Sequence, residues 1–413
     1  MKKAFGLLVV LVMLATAIAA CGPVAGFECE DEWGCVTVEA GDPVRIAYMF
    51  VISGADESLG TDTARGVEMA AEDKGQLLGH DIEIIGEDSM CSAEGGQTAA
   101  TKVAADTEIV GVIGTNCSSA ARAAIPIICG AHIAMISPSN TAPDLTDPAR
   151  PADYDCYLRT AHNDLVQGAA AADFAFEYLG VTKAATIHDG SIYADQLQQV
   201  MADRFLELGG EIVAQEATEP TATEMGSMLS RIAATAPEFI YYPIFIAAGG
   251  HITSQARQTP GLEDIPLMGA DGIFSPDFLD AAGDAALGFY WSSPDFGAFG
   301  SGYQDFLTKH QAKYGEPPIA PFHAHAYDAA SLIFNAVEQV AVQDGDVLHI
   351  GRKALRDTLF GTSGFSGLTG SLTCNEFGDC ADPKIAVYEA NSADSATWNP
   401  GSGADCNPCK VWP

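Results

Sequence analysis

The chain has 413 residues, with 20 basic and 55 acidic side chains and a formal net charge of −35. A charge this negative repels phosphate backbones and anionic membrane surfaces, which excludes nucleic acid as a partner. Apolar residues make up 48% and charged residues 18%, a composition that excludes a disordered or collagen-like chain. The length predicts two to three folding units, each with a core of its own.

The N-terminal segment predicts export. Two lysines precede an apolar stretch from Ala4 to about Ala20, which is too short for a membrane span and typical of a secretory signal. Residues 18–21 (IAAC) resemble the lipobox of bacterial lipoproteins, which implies cleavage before Cys21 and acylation of its thiol. An ordinary signal peptide, with Cys21 as the first mature residue, is the alternative. The lipid then anchors the exported chain to the cell membrane, at the cell surface or in a periplasm.

Export also predicts disulfides, because the remaining ten of the 11 cysteines then lie in an oxidising compartment. The segment 406–409 (CNPC) has a redox or half-zinc motif as its alternative, but no second CxxC accompanies it. Three local pairs are plausible: Cys29 with Cys35, Cys374 with Cys380, and Cys406 with Cys409.

Short apolar strands alternate with helices along most of the chain. After an irregular acidic segment at 22–42, the strands are expected at 45–51, 82–85, 109–113, 133–137, 184–188, 211–214, 239–242 and 266–269. A first helix capped by Thr61 or Asp62 is followed by helices near 94–106, 119–130, 194–208, 223–235 and 247–258.

This alternation predicts an α/β protein with parallel sheets covered by helices on both faces. The units could close into one barrel or form two doubly wound sheets, and a break near 160–167 favours two lobes. Open parallel sheets bind ligands beyond the carboxyl ends of their strands, where helix N-termini present free amide groups. The turns that follow the strands are therefore the place to look for a binding site.

Hydroxyl groups and free amides gather at two of these turns. Residues 117–119 (CSS) follow one strand and open an alanine-rich helix, and residues 137–141 (SPSNT) follow the next strand. Such turns bind a carboxylate without a cation, although each one taken singly also fits an ordinary helix cap.

The second half of the chain offers the opposite chemistry. Asp271 stands at a strand end, where an acid suits an ammonium group but also fits a common Asp-Gly turn. Tyr193 has the same location after another strand. Hydroxyls on one lobe facing an acid and an aromatic ring on the other complement a zwitterion, so the simplest ligand is a free α-amino acid.

The run from Val44 to about Glu389 resembles the branched-chain amino acid (Leu/Ile/Val) binding family of ABC importers, which are periplasmic binding proteins of type I. That resemblance implies two doubly wound parallel-sheet lobes joined by a three-crossover hinge. It is carried by 53–54 (SG) with Gly60, Cys91 with 117–119 (CSS), 135–138 (MISP) with 141–143 (TAP), 158–160 (LRT), and 268–269 (MG) with Gly272.

The resemblance assigns roles to individual residues. Ser118, Ser139 and Thr141 match positions that hold the ligand carboxylate, and the threonine position also holds the ammonium. Asp271 stands where the family uses an acid, usually glutamate, for the ammonium, and Tyr193 matches a tyrosine that closes over the ligand.

Three further positions concern the pocket for the ligand side chain. Phe322 falls where an aromatic ring touches the side chain, whereas Leu59 replaces an aromatic residue and Phe245 replaces a tyrosine. These exchanges leave several ligands open: a branched-chain or larger aliphatic amino acid, a polar amino acid, or a small carboxylic acid or amide. The family disulfide corresponds to Cys91 with Cys117, which leaves Cys129 to pair with Cys156.

The expected organisation follows from these assignments. We expect a monomeric solute-binding lipoprotein that serves an ABC permease and needs no metal and no organic cofactor. The segments are a signal peptide at 1–20, a lipidated tether at 21–42, a first lobe at 43–162 and 295–370, and a second lobe at 163–294 and 371–413 that includes the C-terminal tail.

Two other classes of function compete. A serine hydrolase would use Ser118 or Ser119 with a histidine such as His188, His323 or His325, but no G-x-S-x-G elbow surrounds either serine. The alternating spacing of His323 and His325 does not favour a shared metal. A ligand-sensing module for a signalling receptor would use the same clamp, so the sequence does not separate sensing from import.

Overall fold

The computed structural model describes residues 27–413. The predicted signal peptide and Cys21 lie outside the described residues. Residues 31–413 form the second of two compact units, and residues 27–30, which belong to the first, have no regular secondary structure. Among the helices of residues 27–413, none has the length and apolar character that a membrane crossing needs.

The strands of the second unit are numbered in chain order. They are β1 Cys35–Val38, β2 Val44–Phe50, β3 Gln76–Leu77, β4 His80–Asp88, β5 Ile109–Gly114, β6 Ala134–Ser137, β7 Tyr157–Arg159, β8 Lys183–His188, β9 Glu211–Ala217, β10 Phe239–Tyr241, β11 Leu267–Gly269, β12 Tyr290–Pro294, β13 Val342–Asp344, β14 Val347–Gly351, β15 Phe365–Ser366, β16 Ser371–Leu372, β17 Ile385–Glu389 and β18 Cys409–Trp412.

The α-helices follow the same order. They are α1 Glu57–Lys74, α2 Ala93–Ala105, α3 Ser118–Gly130, α4 Asp164–Asp173, α5 Ile192–Glu207, α6 Gly226–Ala234, α7 Ile246–Ala256, α8 Pro276–Ala282, α9 Tyr303–Tyr314, α10 His323–Val340 and α11 Arg352–Phe360.

The first lobe is built on a six-stranded sheet with the order β3-β4-β2-β5-β6-β7. All neighbours in it are parallel except β3 and β4. One apolar core fills the face covered by α1, α10 and α11, and a second core fills the face covered by α2 and α3. Burial on both faces explains why strands such as β5 are continuously apolar.

The second lobe is built on a seven-stranded sheet with the order β18-β17-β12-β11-β10-β8-β9. Strands β8 to β12 run parallel, while β17 and β18 add two antiparallel strands at one edge. A large core rich in aromatic rings surrounds this sheet, with Trp291 fully buried among Phe274, Phe278 and Phe289.

The chain passes between the two sheets three times. It enters the second lobe between β7 and β8, returns after β12 to place α10 on the first sheet, and crosses again between β16 and β17. This architecture confirms the predicted fold class, an α/β protein of two doubly wound lobes joined by three crossovers.

The first helix begins earlier than predicted. It starts at Glu57 rather than after a cap at Thr61 or Asp62, and Asp62 is fully buried inside it. The Asp62 carboxylate accepts hydrogen bonds from the backbone N–H groups of Ile319 (3.0 Å) and His323 (2.9 Å). The cap-like sequence therefore serves a distant helix start, where an acid is favourable.

Two predicted segment boundaries differ from the sheets. Val36 and Val38, placed in the tether 21–42, are buried in β1, which pairs with β14 beside the first sheet. Leu372 and Cys380, assigned to the second lobe, pack in a core of the first. Alternating burial in a four-residue strand is too short a signal to separate from a turn-rich tether.

The cysteines of the described region are paired. The structure contains disulfides between Cys91 and Cys117, Cys129 and Cys156, Cys374 and Cys380, and Cys406 and Cys409. These include Cys91 with Cys117, which the family resemblance implies, Cys129 with Cys156, which was left by elimination, and two of the three local pairs. Cys29 and Cys35 are also disulfide-bonded, and their mutual pairing stays a prediction.

Candidate functional site

A pocket lies between the two lobes, beyond the carboxyl ends of their parallel strands. It brings together seven of the eight residues that the sequence predicted for the ligand. The residues that line it are Leu59, Asn116, Cys117, Ser118, Ser139, Tyr193, Phe245, Asp271, Gly272 and Phe322. Thr141, the eighth predicted residue, does not line it.

The first lobe contributes hydroxyl groups held by a rigid turn. Ser118 is the first residue of α3, and its neighbour Cys117 is fixed by the disulfide to Cys91. The Ser118 hydroxyl accepts a hydrogen bond from the Ala142 N–H at 3.3 Å, and Ser139 donates to the Asn116 carbonyl at 3.1 Å. With no acid in the first turn of α3, the positive end of the helix faces this position uncompensated.

Thr141 lies behind this turn rather than on the pocket wall. Its carbonyl oxygen accepts a hydrogen bond from the Asp164 N–H at 2.9 Å. Its hydroxyl oxygen is buried and has no hydrogen-bond partner among the residues that the structure describes. Thr141 thus joins the hydroxyl-rich turn to the start of α4.

The second lobe contributes Asp271, which begins a short turn after β11 and is 3% exposed. Its carboxylate accepts hydrogen bonds from Gln167 Nε2 at 2.6 Å and from the Tyr193 hydroxyl at 3.2 Å. Burial disfavours the charged form more than these bonds favour it, which raises the pKa of Asp271 to about 6.

A second buried acid, Asp164, was missed by the sequence reasoning. It is the first residue of α4 and fully buried, and within residues 27–413 neither of its carboxylate oxygens has a hydrogen-bond partner. Burial, and then the nearby charge of Asp271, raise the pKa of Asp164 well above its usual range. Acids are common in the first turn of a helix, so the sequence offered no sign that this one is buried.

Apolar side chains and one glycine complete the wall. The rings of Tyr193 and Phe245 lie 5.3 Å apart, and Leu59 and Phe322 line the same space from the first lobe. A Cβ at Gly272 would lie 3.0 Å from Cε1 of Tyr193, so only glycine lets the tyrosine reach Asp271 without displacement. The two departures from the family pattern, Leu59 and Phe245, therefore do line this pocket.

The two lobes are in contact around the pocket. The Asp56 carboxylate accepts from the Ile246 N–H at 3.2 Å, and burial raises the pKa of Asp56 to about 6. The pocket volume is only about 10 Å³, so an amino acid cannot enter without movement of the lobes. Two further hydrogen bonds cross the cleft, from Ser275 to Ser58 at 3.1 Å and from the Ile192 N–H to Ser119 at 3.2 Å.

Two of the three histidines considered for catalysis are hydrogen-bonded to groups other than Ser118 or Ser119. Nδ1 of His188 accepts from the Gly190 N–H, and His323 is bound to Asp62 through Nδ1 and to the Tyr303 hydroxyl through Nε2. Within residues 27–413, no group of three His, Cys, Asp or Glu side chains is arranged to hold a metal ion.

The comparison with known proteins settles the family. Residues 43–394 match the family model described as periplasmic binding protein. The chain is a periplasmic binding protein of type I. This binding protein belongs to the branch that includes the branched-chain amino acid binding proteins, as the following relatives show.

Two curated relatives resemble the binding protein over much of its length. The Leucine-, isoleucine-, valine-, threonine-, and alanine-binding protein of Pseudomonas aeruginosa is 26% identical over 353 residues, which cover 85% of this chain and 90% of the relative. The Leu/Ile/Val-binding protein of Escherichia coli is 28% identical over 269 residues, 63% of this chain and 71% of the relative.

Solved structures agree on the fold. A branched-chain amino acid transporter substrate binding protein from Streptococcus pneumoniae, in complex with isoleucine, superposes with a TM-score of 0.74 at 25% identity and covers 86% of this chain and 97% of that one. A leucine binding protein from Thermotoga maritima gives a TM-score of 0.76 at 24% identity, covering 85% of this chain and 96% of that one, and supports the fold alone.

Proposed function

We propose that this protein captures a free amino acid of the branched-chain class outside the cytoplasm and delivers it to an ABC permease. One observation carries the proposal. A single pocket joins the Ser118 turn of one lobe to Asp271 of the other, with apolar side chains between them. The relatives named for leucine, isoleucine and valine support the same class of ligand.

The two ends of the ligand have separate partners in this proposal. The α-carboxylate binds at the Ser118 and Ser139 hydroxyls and the N-terminus of α3, which supply donors and a positive dipole end. The ammonium group binds Asp271, because a buried cation needs a paired charge. Asp164 and the Thr141 hydroxyl lie behind this position. The aliphatic side chain of the ligand packs against Leu59. A leucine at this position favours a branched aliphatic group over a planar ring.

Binding is proposed to shift an equilibrium between open and closed lobes. The ligand contacts both lobes only when they close, so it stabilises the closed form by its differential affinity for that form. The small volume of the pocket supports this scheme, since entry and release require opening. No step of bond making or breaking on the ligand is proposed, so the protein acts as a binder and not as an enzyme.

A small carboxylic acid or amide fits the pocket less well than an amino acid. The buried carboxylate of Asp271 would repel a second anion, and a neutral amide would bring it no opposite charge. Sensing for a signalling receptor would use the same closure, and import is preferred because the relatives named for transport share most of the chain. Lipid anchoring at Cys21 and a monomeric state complete the proposal.

A ligand panel tests the proposal. We expect L-leucine, L-isoleucine or L-valine to raise the melting temperature of the purified protein by several degrees, because a ligand of the native state stabilises it. The methyl ester and the amide of the best ligand lack the carboxylate and serve as matched controls that should give little shift. The proposal is wrong if only neutral or anionic compounds raise the melting temperature.

A further inference from the structure

A second pocket, with a volume of about 360 Å³, lies near the N-terminus of α10, where it is lined by His323. The adjacent Phe322 lines the pocket between the lobes. The second pocket shares no lining residue with the pocket between the lobes. The residues that line it are Phe296, Gly297, Tyr303, Gln304, Leu307, Gln311, Pro317, Pro318, His323, Tyr388, Asn399, Pro400, Gly401 and Ser402. A volume in this range is typical of small-molecule sites.

One wall of this pocket comes from outside the region shared with the family. The family match ends at residue 394, whereas residues 399–402 belong to the C-terminal tail. The opposite wall is one face of α9, where Tyr303, Leu307 and Gln311 follow one another at intervals of four residues. Residues 399–402 of the pocket wall thus lie outside the region that the family model matches, whereas the other ten lining residues lie inside it.

The C-terminal tail that contains residues 399–402 is bound to the rest of the protein at several points. The Trp398 indole N–H donates to the Pro318 carbonyl at 3.0 Å, and the Lys410 ammonium contacts the Asp295 carboxylate at 2.8 Å. Residues 409–412 form β18 on the second sheet, and the Cys406–Cys409 disulfide closes the segment between these attachments. The tail thus presents a defined surface to the pocket.

Aromatic rings form the floor. The rings of Phe296, Tyr303 and His323 are nearly parallel, with centroids 5.7 to 6.3 Å apart. Both nitrogens of His323 are hydrogen-bonded, Nδ1 to Asp62 and Nε2 to the Tyr303 hydroxyl at 2.7 Å. Only a small part of each ring is exposed, 9% of Phe296 and 6% of Tyr303, so the floor presents a limited area of apolar ring surface and a hydroxyl that is already hydrogen-bonded.

The lining is uncharged although the chain is strongly acidic. None of the fourteen residues that line the pocket, all within the described part of the chain, is Asp, Glu, Lys or Arg. Besides the tyrosine hydroxyls and the His323 ring, the polar groups are the side chains of Gln304, Gln311, Asn399 and Ser402. An ion would lose its hydration there without gaining a charged partner, whereas a neutral ring would gain contacts with the aromatic floor.

We propose that this pocket is a second binding site, for an uncharged aromatic compound that packs against Phe296, Tyr303 and Tyr388 and forms hydrogen bonds with the side-chain amides of the lining. The inference does not depend on the ligand proposed for the cleft, because the two sites have no residue in common.

Indole is the probe for this site, with indole-3-carboxylate as its charged counterpart. We expect saturable binding of indole by calorimetry to leucine-saturated protein, and at least tenfold weaker binding of the anion. The site is absent if indole and phenol show no saturable binding up to their solubility, or if the anion binds as tightly as indole. A proline-rich peptide that binds while indole does not would overturn the small-molecule assignment in favour of a protein partner.

Substitutions locate the binding. Leu307→Trp fills the pocket and should weaken indole binding at least tenfold, and Gln304→Trp at an exposed position of the same helix is a second blocking variant that should do the same. Ala312→Trp, exposed on α9 but outside the pocket, is the matched control and should stay within twofold of the unmodified protein. Indole affinity unchanged by both blocking variants would place its site elsewhere and refute the proposal.

Amino-acid binding measured on the same samples separates the two proposals. All three variants should keep their leucine affinity if folded. A protein that binds indole but no amino acid would support this pocket and contradict the function proposed for the cleft. A protein that binds leucine but not indole would do the reverse.

Discussion

The two lobes line the pocket between them with side chains of opposite chemistry. The first lobe presents neutral donors, the Ser118 and Ser139 hydroxyls and the start of α3, and the second lobe presents the carboxylate of Asp271. A carboxylate can be bound by dipoles alone, whereas an ammonium group buried between lobes needs an opposite charge. We therefore expect the specificity for an amino acid to reside mainly in the second lobe, which carries Asp271.

The lobes also differ in the free energy of their unliganded sites. In the first lobe the Ser118 and Ser139 hydroxyls are hydrogen-bonded. In the second lobe Asp164 and Asp271 are buried near each other, and the pKa of both is raised. An ammonium group beside Asp271 favours the charged form of this buried carboxyl, so binding offsets part of the cost of its burial and contributes to closure on the ligand.

The largest effect is expected for Asp271→Asn. It keeps the shape of the side chain but removes the charge that pairs with the ammonium group, so leucine affinity should fall about 100-fold by calorimetry. Asp280→Asn, at an exposed position of α8, removes a charge from the same lobe and should leave affinity unchanged. If Asp271→Asn bound leucine with unchanged affinity, the assignment of the ammonium group to the second lobe would be wrong.

The second effect is a dependence of affinity on pH. Because burial raises the pKa of Asp271 to about 6, the unliganded carboxyl is mostly charged at pH 7 and mostly protonated at pH 5. The proton competes with the ammonium group, so leucine affinity should fall about tenfold between pH 7 and pH 5. Two titratable groups face Asp271. Burial raises the pKa of Tyr193 well above its usual value, so its hydroxyl stays neutral between pH 5 and pH 7. Burial and the charge of Asp271 raise the pKa of Asp164, and the nearby charge of Arg159 acts in the opposite direction.

The stability of the unliganded protein depends on pH in the opposite direction from leucine affinity. A carboxyl group whose pKa is raised on folding stabilises the unliganded fold fully below its ordinary pKa of 3.8, and this contribution is lost as the pH rises through 6. In Asp271→Asn the affinity profile should become flatter across this range. A profile that keeps its full slope in the variant would assign the titration to another group.

The smallest effect is expected in the neutral lobe. Ser118→Ala removes one hydroxyl donor while the helix N-terminus remains, so leucine affinity should fall about fivefold, the equivalent of about 1 kcal/mol. Ser230→Ala, exposed on α6, removes a hydroxyl far from the cleft and is the control. Isothermal calorimetry measures both variants. A loss larger than that of Asp271→Asn would reverse the ranking of the lobes.

Much of the site could be predicted because it follows a local rule. Ser118 and Asp271 each lie in the turn that follows a continuously apolar strand, and carboxyl ends of parallel strands meet at one edge. Thr141 and Asp164 obey no such rule. Whether Thr141 lines the pocket, and whether Asp164 in the first turn of its helix is buried, depend on how the chain crosses between the lobes.

The fold was predictable to a similar extent. The eight expected strands all coincide with strands of the two sheets, since runs of isoleucine and valine mark strands buried on both faces. Strand β12 escaped prediction because Ser292 and Ser293 interrupt its apolar pattern, although both are fully buried. Strands β17 and β18 pair antiparallel with distant partners, and such pairing leaves no periodic signal within a few residues.

Strand β18 has a consequence for the behaviour of the protein at high concentration. It occupies the outer side of β17, whose sequence IAVYE is apolar and almost entirely buried. Without it, β17 would expose a row of unpaired N–H and C=O groups to other molecules, which is the usual starting point of intermolecular sheet formation and aggregation. With β18 in place the outermost strand is only four residues long, and a short edge strand offers little backbone for such association.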